Sequence, residues 1–298
     1  MNTLQRIIVG HSLLPDGDVA LRSAAVLAER AKAALYILHV AEPYRFYLKI
    51  RFPSIPATAM LEEVTLKVRT QLTDLARILP LSHVHVETDA RVGKPFLELL
   101  RTARTWNANL VVVGVSACGE GRFLGSTGER VLRQATVPVL LAKRELTVGP
   151  KIVLIPTDFS PCSRQAAEEG VAMVRGFGGQ VIFLHVMDFR SISPAAYGAE
   201  PLLIPPVTPA DLEPDWQEFL RGLPLDGVNW EKQTREGRAA LTIADAAMET
   251  AADLVTIGTH GHTGLAHVLL GSVAEAVLRL TPCSVLTIRP EAFRFEMP

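Results

Sequence analysis

Short apolar runs alternate along the chain with stretches in which apolar residues recur every three or four positions. In the first half the runs are Arg6–Gly10, Leu35–His39, Val84–Thr88, Leu110–Gly114 and Val139–Ala142. Between them the spacing is helical, as in Phe96, Leu99, Leu100, Ala103 and Trp106. The same alternation starts again at Lys151. Strands that are apolar nearly throughout are buried on both faces, so the pattern predicts an α/β fold with a parallel sheet between two layers of helices. Five strands are expected in each half, with ligands bound outside their carboxyl ends where the strand order reverses.

The repetition extends to residues. Ala34–Pro43 answers Gln180–Phe189, with Leu38-His39-Val40 matching Leu184-His185-Val186. Arg91–Leu100 answers Arg235–Ala244, the run ending at Gly114 answers the run ending at Gly258, and Gly125–Gln134 answers Gly271–Leu280. Four matches in one order describe two tandem domains, 1–145 and 150–290, joined through Gly149-Pro150. Each has a proline-rich stretch after its second strand, Pro43–Pro56 and Pro194–Pro214. These are too long for tight turns and too rich in proline for regular helix. A surface excursion and a lid or partner surface both fit them.

Composition narrows the class. The 298 residues are 48% hydrophobic and 20% charged, a globular balance, and the net charge of -1 gives no electrostatic case for nucleic acid or an anionic membrane. No apolar run is long enough to span a bilayer, and the first residues lack the core of a signal peptide, so a cytoplasmic protein is expected. Cys118, Cys162 and Cys283 are scattered and odd in number, which does not make a disulfide framework.

Candidate chemistry concentrates in Gly258–Ser272. This segment follows the apolar run Leu254–Ile257 and reads G-x2-G-x9-G-S, with Gly258, Gly261 and Gly271 ahead of a helical pattern. Glycines let a backbone approach a ligand, and a helix N-terminus offers unpaired N–H groups to an anion. A tight strand-to-helix turn would use the same residues. Ser272 with Glu275 also reads as a capping box, and Ser126 with Glu129 repeats it. Asp158 fits a turn or a cap before Ser160-Pro161, with Pro161 suited to the first helical position.

The βαβ start, the Leu-His-Val strand and the glycine spacing together resemble the universal stress protein family in its tandem form. The resemblance implies two Rossmann-like domains of the adenine nucleotide alpha hydrolase-like type, and ATP, with Mg²⁺, as ligand. Carried onto the second copy, it implies adenosine contacts from Pro156, Thr157 and Asp158, with Asp158 toward the ribose. Val186 would present backbone groups to the adenine edge. Gly258, His260, Gly261, Gly271, Ser272 and Val273 would surround the phosphates, and His262 would stand where many members carry a basic residue. A carboxylate beside phosphates would be repelled, which agrees with Asp158 facing the sugar.

The first copy departs from this pattern. Gly10-His11-Ser12 replaces Pro156-Thr157-Asp158, and Gly114-Val115-Ser116-Ala117 replaces Gly258-Thr259-His260-Gly261. Seven residues, Cys118–Leu124, stand where the second copy has nine. Gly119 and Gly121 give the shortened loop another way to open. One ATP site per chain is therefore expected, in the second copy.

His260, His262 and His267 lie among glycines without a fixed helical face or a cysteine or carboxylate at ligand spacing, so no metal is expected. His39 and His185 recur inside apolar strands and read as satisfied core or edge residues; His83 and His85 read as a solvated strand face. Cys162 and Cys283 look structural, and nothing beside Cys118 would activate a thiolate.

The chain has no G-x4-G-K-[ST] and no lysine in the glycine segment. The expectation is a non-enzymatic ATP-binding stress protein, any hydrolysis being slow and incidental, whose occupancy alters assembly or partner contacts. The alternative is a nucleotide-independent small-ligand or protein-interaction module using the proline-rich loops, where Leu202, Leu203 and Ile204 stand out. A nucleotidyl-transfer enzyme would lack its signatures. The resemblance further implies that the last apolar strands, Val137–Ala142 and Cys283–Ile288, pair within one chain as a pseudo-dimer. A homodimer of whole chains, helped by Phe293 and Phe295 of the tail, would extend that pairing.

Overall fold

A computed structural model of the protein describes residues 4–42, 57–115, 125–188, 208–261 and 270–290. In the first half the elements are β1 (Arg6–Gly10), α1 (Pro15–Ala31), β2 (Ala34–Ala41), α2 (Ala57–Arg77), β3 (Val86–Val92), α3 (Pro95–Thr105), β4 (Leu110–Gly114), α4 (Ser126–Gln134) and β5 (Val139–Ala142). The second half repeats the plan with β6 (Ile152–Thr157), α5 (Pro161–Phe177), β7 (Gln180–Met187), α6 (Glu213–Leu220), β8 (Asn229–Glu236), α7 (Ala239–Glu249), β9 (Leu254–Gly258), α8 (Ser272–Leu280) and β10 (Ser284–Ile288).

All ten strands form one sheet in the order β3-β2-β1-β4-β5-β10-β9-β6-β7-β8. Within each half every pairing is parallel. The halves meet where β10 runs antiparallel to β5, with Val285 opposite Leu141 and Thr287 opposite Val139. The expected intramolecular pairing of the last strands is thus present, and each strand covers an edge its partner would otherwise expose. Arg133 and Glu275 face each other across this seam at 3.5 Å.

Two buried apolar layers run the length of the sheet. One packs Leu21, Leu72, Val171 and Trp216 against strand residues such as Ile7 and Phe183. The other packs Leu99, Leu132, Ile243 and Val277 against residues such as Val111 and Val255. Both layers contain residues of both halves, which follows from strands apolar on both faces.

Three expectations shift. The third strand is Val86–Val92 rather than Val84–Thr88, and exposed His83 and His85 precede it. It continues past the apolar pattern because its backbone pairs with β2 as far as Ala41 opposite Val92. Asp89 at its centre is held by Arg69 at 2.7 Å and Arg91 at 2.9 Å, so a carboxylate can sit in a strand. Pro214, expected in an irregular stretch, lies in the first turn of α6, where a missing N–H costs nothing. The capping boxes do not form. Helices α4 and α8 begin at Ser126 and Ser272 themselves, with Gly125 and Gly271 at the N-caps. The physical reason in the second half is that Gly271 donates its N–H to the Thr259 carbonyl at 2.8 Å, which fixes its extended backbone one residue earlier. Pro43–Pro56 and Pro194–Val207 lie outside the described residues.

Candidate functional site

In the second half the chain enters the sheet at β6, steps to β7 on one side and returns through β9 on the other. The carboxyl ends of β6 and β9 flank this switch, where an open α/β sheet leaves a crevice. Pro156, Thr157 and Asp158 close β6, Val186 lies near the end of β7, and Gly258–Gly261 follow β9. Ser272 opens α8. The structure therefore brings to one sheet edge the sequence-predicted residues that fall within the described residues. His262 and His267 lie outside them, as do Cys118 and the tail with Phe293 and Phe295.

The turn after β6 is built from its own side chains. Phe159 N–H donates to Thr157 Oγ1 at 2.9 Å, and Ser160 N–H donates to Asp158 Oδ1 at 3.1 Å. Ser160 then caps α5 by accepting from Ser163 N–H at 3.2 Å, and Pro161 takes the first helical position. Asp158 is thus a turn residue and not the helix cap. Thr157 is buried, whereas Asp158 is exposed at the crevice.

The glycines answer to close approaches. A Cβ on Gly261 would collide with Oδ2 of Asp158. One on Gly258 would come within 2.9 Å of the Cys162 carbonyl carbon and Sγ, and one on Gly271 within 2.9 Å of the Thr259 carbonyl oxygen. The first of these ties the two halves of the motif together: the carboxylate of Asp158 lies against the backbone of Gly261. Thr259 itself is fully buried, and its hydroxyl contacts His260 Nδ1 at 2.9 Å.

With glycine at the N-cap, no side chain caps the first turn of α8, and its leading N–H groups and positive dipole end are presented beside the glycines. Ser272 and Val273 are exposed there. Glu275, whose N–H bonds Gly271 O at 2.9 Å, turns its carboxylate to Arg279 and Arg133.

Three features had weak sequence signals. Phe159 has φ +63°, stacks on His185 with ring centroids 4.5 Å apart, and meets Trp216 edge-on. His185 Nδ1–H also donates to the Thr157 carbonyl at 2.9 Å, so it clamps β7 to the turn. Arg289, just past β10, is buried and donates to the Leu132 carbonyl of the other half; burial pushes its guanidinium down to about 10. Its counterpart Lys143 donates to the Thr281 carbonyl at 2.6 Å. The pair was visible as a basic residue closing each last strand. Cys162 and Cys283 are buried, and burial raises both thiols, Cys283 to about 11.

The third feature is a cavity of about 460 Å³ at the corresponding edge of the first half, between Gly10–Ser12, Val113-Gly114 and Gly125–Gly128. The half with the weaker motif therefore has open space there.

The sequence model described as the Universal stress protein family matches the chain twice, over residues 3–143 and 150–289. Universal stress protein Rv2623 of Mycobacterium tuberculosis is 27% identical over 312 residues, which cover 97% of this chain and 97% of that protein. Universal stress protein MJ0531 of Methanocaldococcus jannaschii is 33% identical over 144 residues, 47% of this chain and 82% of that one. A solved universal stress protein from Archaeoglobus fulgidus superposes with a TM-score of 0.72 at 18% identity, covering 95% of this chain and 98% of that one. That likeness concerns the fold.

Proposed function

This chain belongs to the universal stress protein family, and we propose that it binds one ATP in its second half, at the edge formed by Asp158, Gly258–Gly261 and Gly271–Val273. The observation that carries this reading is the seating of the Asp158 carboxylate against Gly261 beside an uncapped helix N-terminus. A Cβ at any of the three glycines would collide with neighbouring protein atoms, so the backbone packs closely there, and the leading N–H groups of α8 suit a phosphate. Asp158, exposed and fixed by its turn, is an acceptor for a ribose hydroxyl. Val186 in β7 is half-buried next to the His185 clamp, in position to meet the base through its backbone. Mg²⁺ would arrive with the nucleotide on phosphate oxygens.

Binding without chemistry is the reading favoured by the residues present. The Thr259 hydroxyl that touches His260 is fully buried and closed to substrate. The burial-raised thiol of Cys162 is a poor nucleophile. Nucleotide occupancy would then act by changing assembly or partner contacts. Among the described residues no helix is long and apolar enough to cross a membrane.

Calorimetric titration of nucleotide-stripped protein with ATP and Mg²⁺ tests the proposal. One ATP per chain, lost in both Asp158→Ala and Gly261→Val, is expected. Two per chain would show that the first half also binds, and none would overturn the reading.

A further inference from the structure

The cavity of the first half differs from the second half at several lining positions: Gly10, Ser12, Gly17 and Gly128 are smaller than their counterparts Pro156, Asp158, Ser163 and Ala274, whereas His11 and Leu14 are larger than Thr157 and Ser160. Among the described residues a methyl on Gly128 would meet its nearest atom, the Gly114 carbonyl oxygen, at 3.8 Å, so their packing does not demand glycine there, and Gly128 lines the cavity.

The lining states what would fill that room. Leu38, Val68, Leu99 and Val113 are buried and face the cavity, giving it an apolar floor and one apolar wall from α2. Its polar residues come from three places: His11 and Ser12 after β1, His39 and Glu42 at the end of β2, and Ser126 and Thr127, which open α4 behind an uncapped Gly125. Among the described residues the lining contains no lysine or arginine, and Glu42 belongs to it. From these residues a polyphosphate would meet no cation and one carboxylate. Ser12, in the place of Asp158, supplies no carboxylate for a ribose. His11 is committed elsewhere: it accepts from Leu13 N–H at 3.1 Å and meets Asp18 at 3.1 Å.

We infer that this cavity binds a small amphipathic monoanion, an apolar body seated over Leu38, Val68, Leu99 and Val113 with a single carboxylate-type head at Ser126 and Thr127. A volume of about 460 Å³ falls in the range of small-molecule sites, which are mostly apolar with a few placed polar groups. One negative head is matched by the hydroxyls and leading N–H groups of α4, and a second charge would meet Glu42. The two halves would then take different ligands on one backbone plan. The inference stands independently of ATP binding in the second half.

Decanoate and its neutral analogue 1-decanol test it by calorimetry on the full chain. Ser126→Asp places a carboxylate where the head would sit, yet favours a helix N-terminus and so keeps α4 folded. Gly128→Leu fills the cavity. One decanoate per chain is expected, weakened more than about tenfold by Ser126→Asp. Binding of 1-decanol should survive Ser126→Asp and be lost in Gly128→Leu, and ATP stoichiometry should be unchanged in both variants. The inference is overturned if wild-type protein fails to bind decanoate, or binds it equally in Ser126→Asp. It is also overturned if a second ATP per chain appears and disappears with Ser126→Asp, which would make the cavity a nucleotide site.

Discussion

The turns that follow β1 and β6 have one backbone and two chemistries. Leu13 and Phe159 occupy the same left-handed step, at φ +60° and +63°. Each turn is held by side chains one and two residues earlier: His11 and Ser12 accept from Leu13 and Leu14 N–H, as Thr157 and Asp158 accept from Phe159 and Ser160 N–H. A histidine of the next strand donates to the turn in both, His39 to the His11 carbonyl at 2.7 Å and His185 to the Thr157 carbonyl at 2.9 Å. The scaffold needs a side-chain acceptor at each position and, at the second, is indifferent to its charge. That indifference frees the second position to be Asp in one half and Ser in the other, so the ligand chemistry changes while the fold does not.

The sharpest way to break this comparison is to exchange the residues that differ. Gly261→Val drives a branched side chain into Asp158, and ATP affinity should fall by more than about tenfold, or about 1.4 kcal/mol, in calorimetric titration. The reciprocal Ser12→Asp should leave the turn intact and confer no ATP binding, because Ala117 and the shortened loop remain. Acquisition of a second ATP by Ser12→Asp would mean that the carboxylate alone separates the halves.

Next in size are the buried cations of the seam, which should behave alike. Lys143 and Arg289 each reach into the other half and bond a carbonyl at the C-terminal end of its last helix. Replacing either by Met leaves buried carbonyls short of a donor, which costs about 1–3 kcal/mol. Comparable drops in thermal midpoint are expected for Lys143→Met and Arg289→Met. A drop in one alone would show that the seam is not symmetric in energy.

How much of this was legible in sequence varies by kind of interaction. Strand existence and order of repeats were readable because apolar runs buried on both faces leave a strong pattern; β1, β4 and β5 fall at their expected bounds. Strand β3 was misplaced by pattern because its last residues are held by backbone pairing with β2, and its central Asp89 by Arg69 and Arg91, and neither carries an apolar signal. The glycine motif showed where a backbone comes close to something. It could not show that Gly261 answers to Asp158, or Gly258 to Cys162, because those partners lie about a hundred residues away along the chain. Helix starts were read one residue late because a serine before a glutamate looks like a cap, and only the hydrogen bond of Gly271 to Thr259 shows that the cap is glycine. The cavity was invisible for a simpler reason: its lining comes from residues far apart along the chain, from Gly10 to Gly128.

A smaller effect separates the two clamping histidines. His185→Gln should lose the ring stack on Phe159, and with it about 0.5–1.5 kcal/mol beyond any loss at His39→Gln. Chemical denaturation of the two variants measures the difference. Equal losses would mean that the Phe159 ring contributes nothing to the turn it closes.

The smallest effect is one of pH, and it belongs to the first half. Burial pushes His39 below its ordinary value of 6.5, with the neighbouring His11 adding to the push, although its bond to the His11 carbonyl opposes it. A base whose folded pKa is depressed binds fewer protons folded than unfolded, so its share of stability is complete above about 6.5 and is lost as pH falls toward the folded value. Acidification from pH 7 to 5 should therefore lower the denaturation midpoint of the wild-type protein. His39→Gln has no proton to gain at that site and should show a shallower dependence, at the cost of a lower midpoint at pH 7. An identical slope in the variant would assign the acid sensitivity to other groups. A steeper one would reverse the sign, meaning that protonated His39 is held in the fold by the carbonyl it bonds.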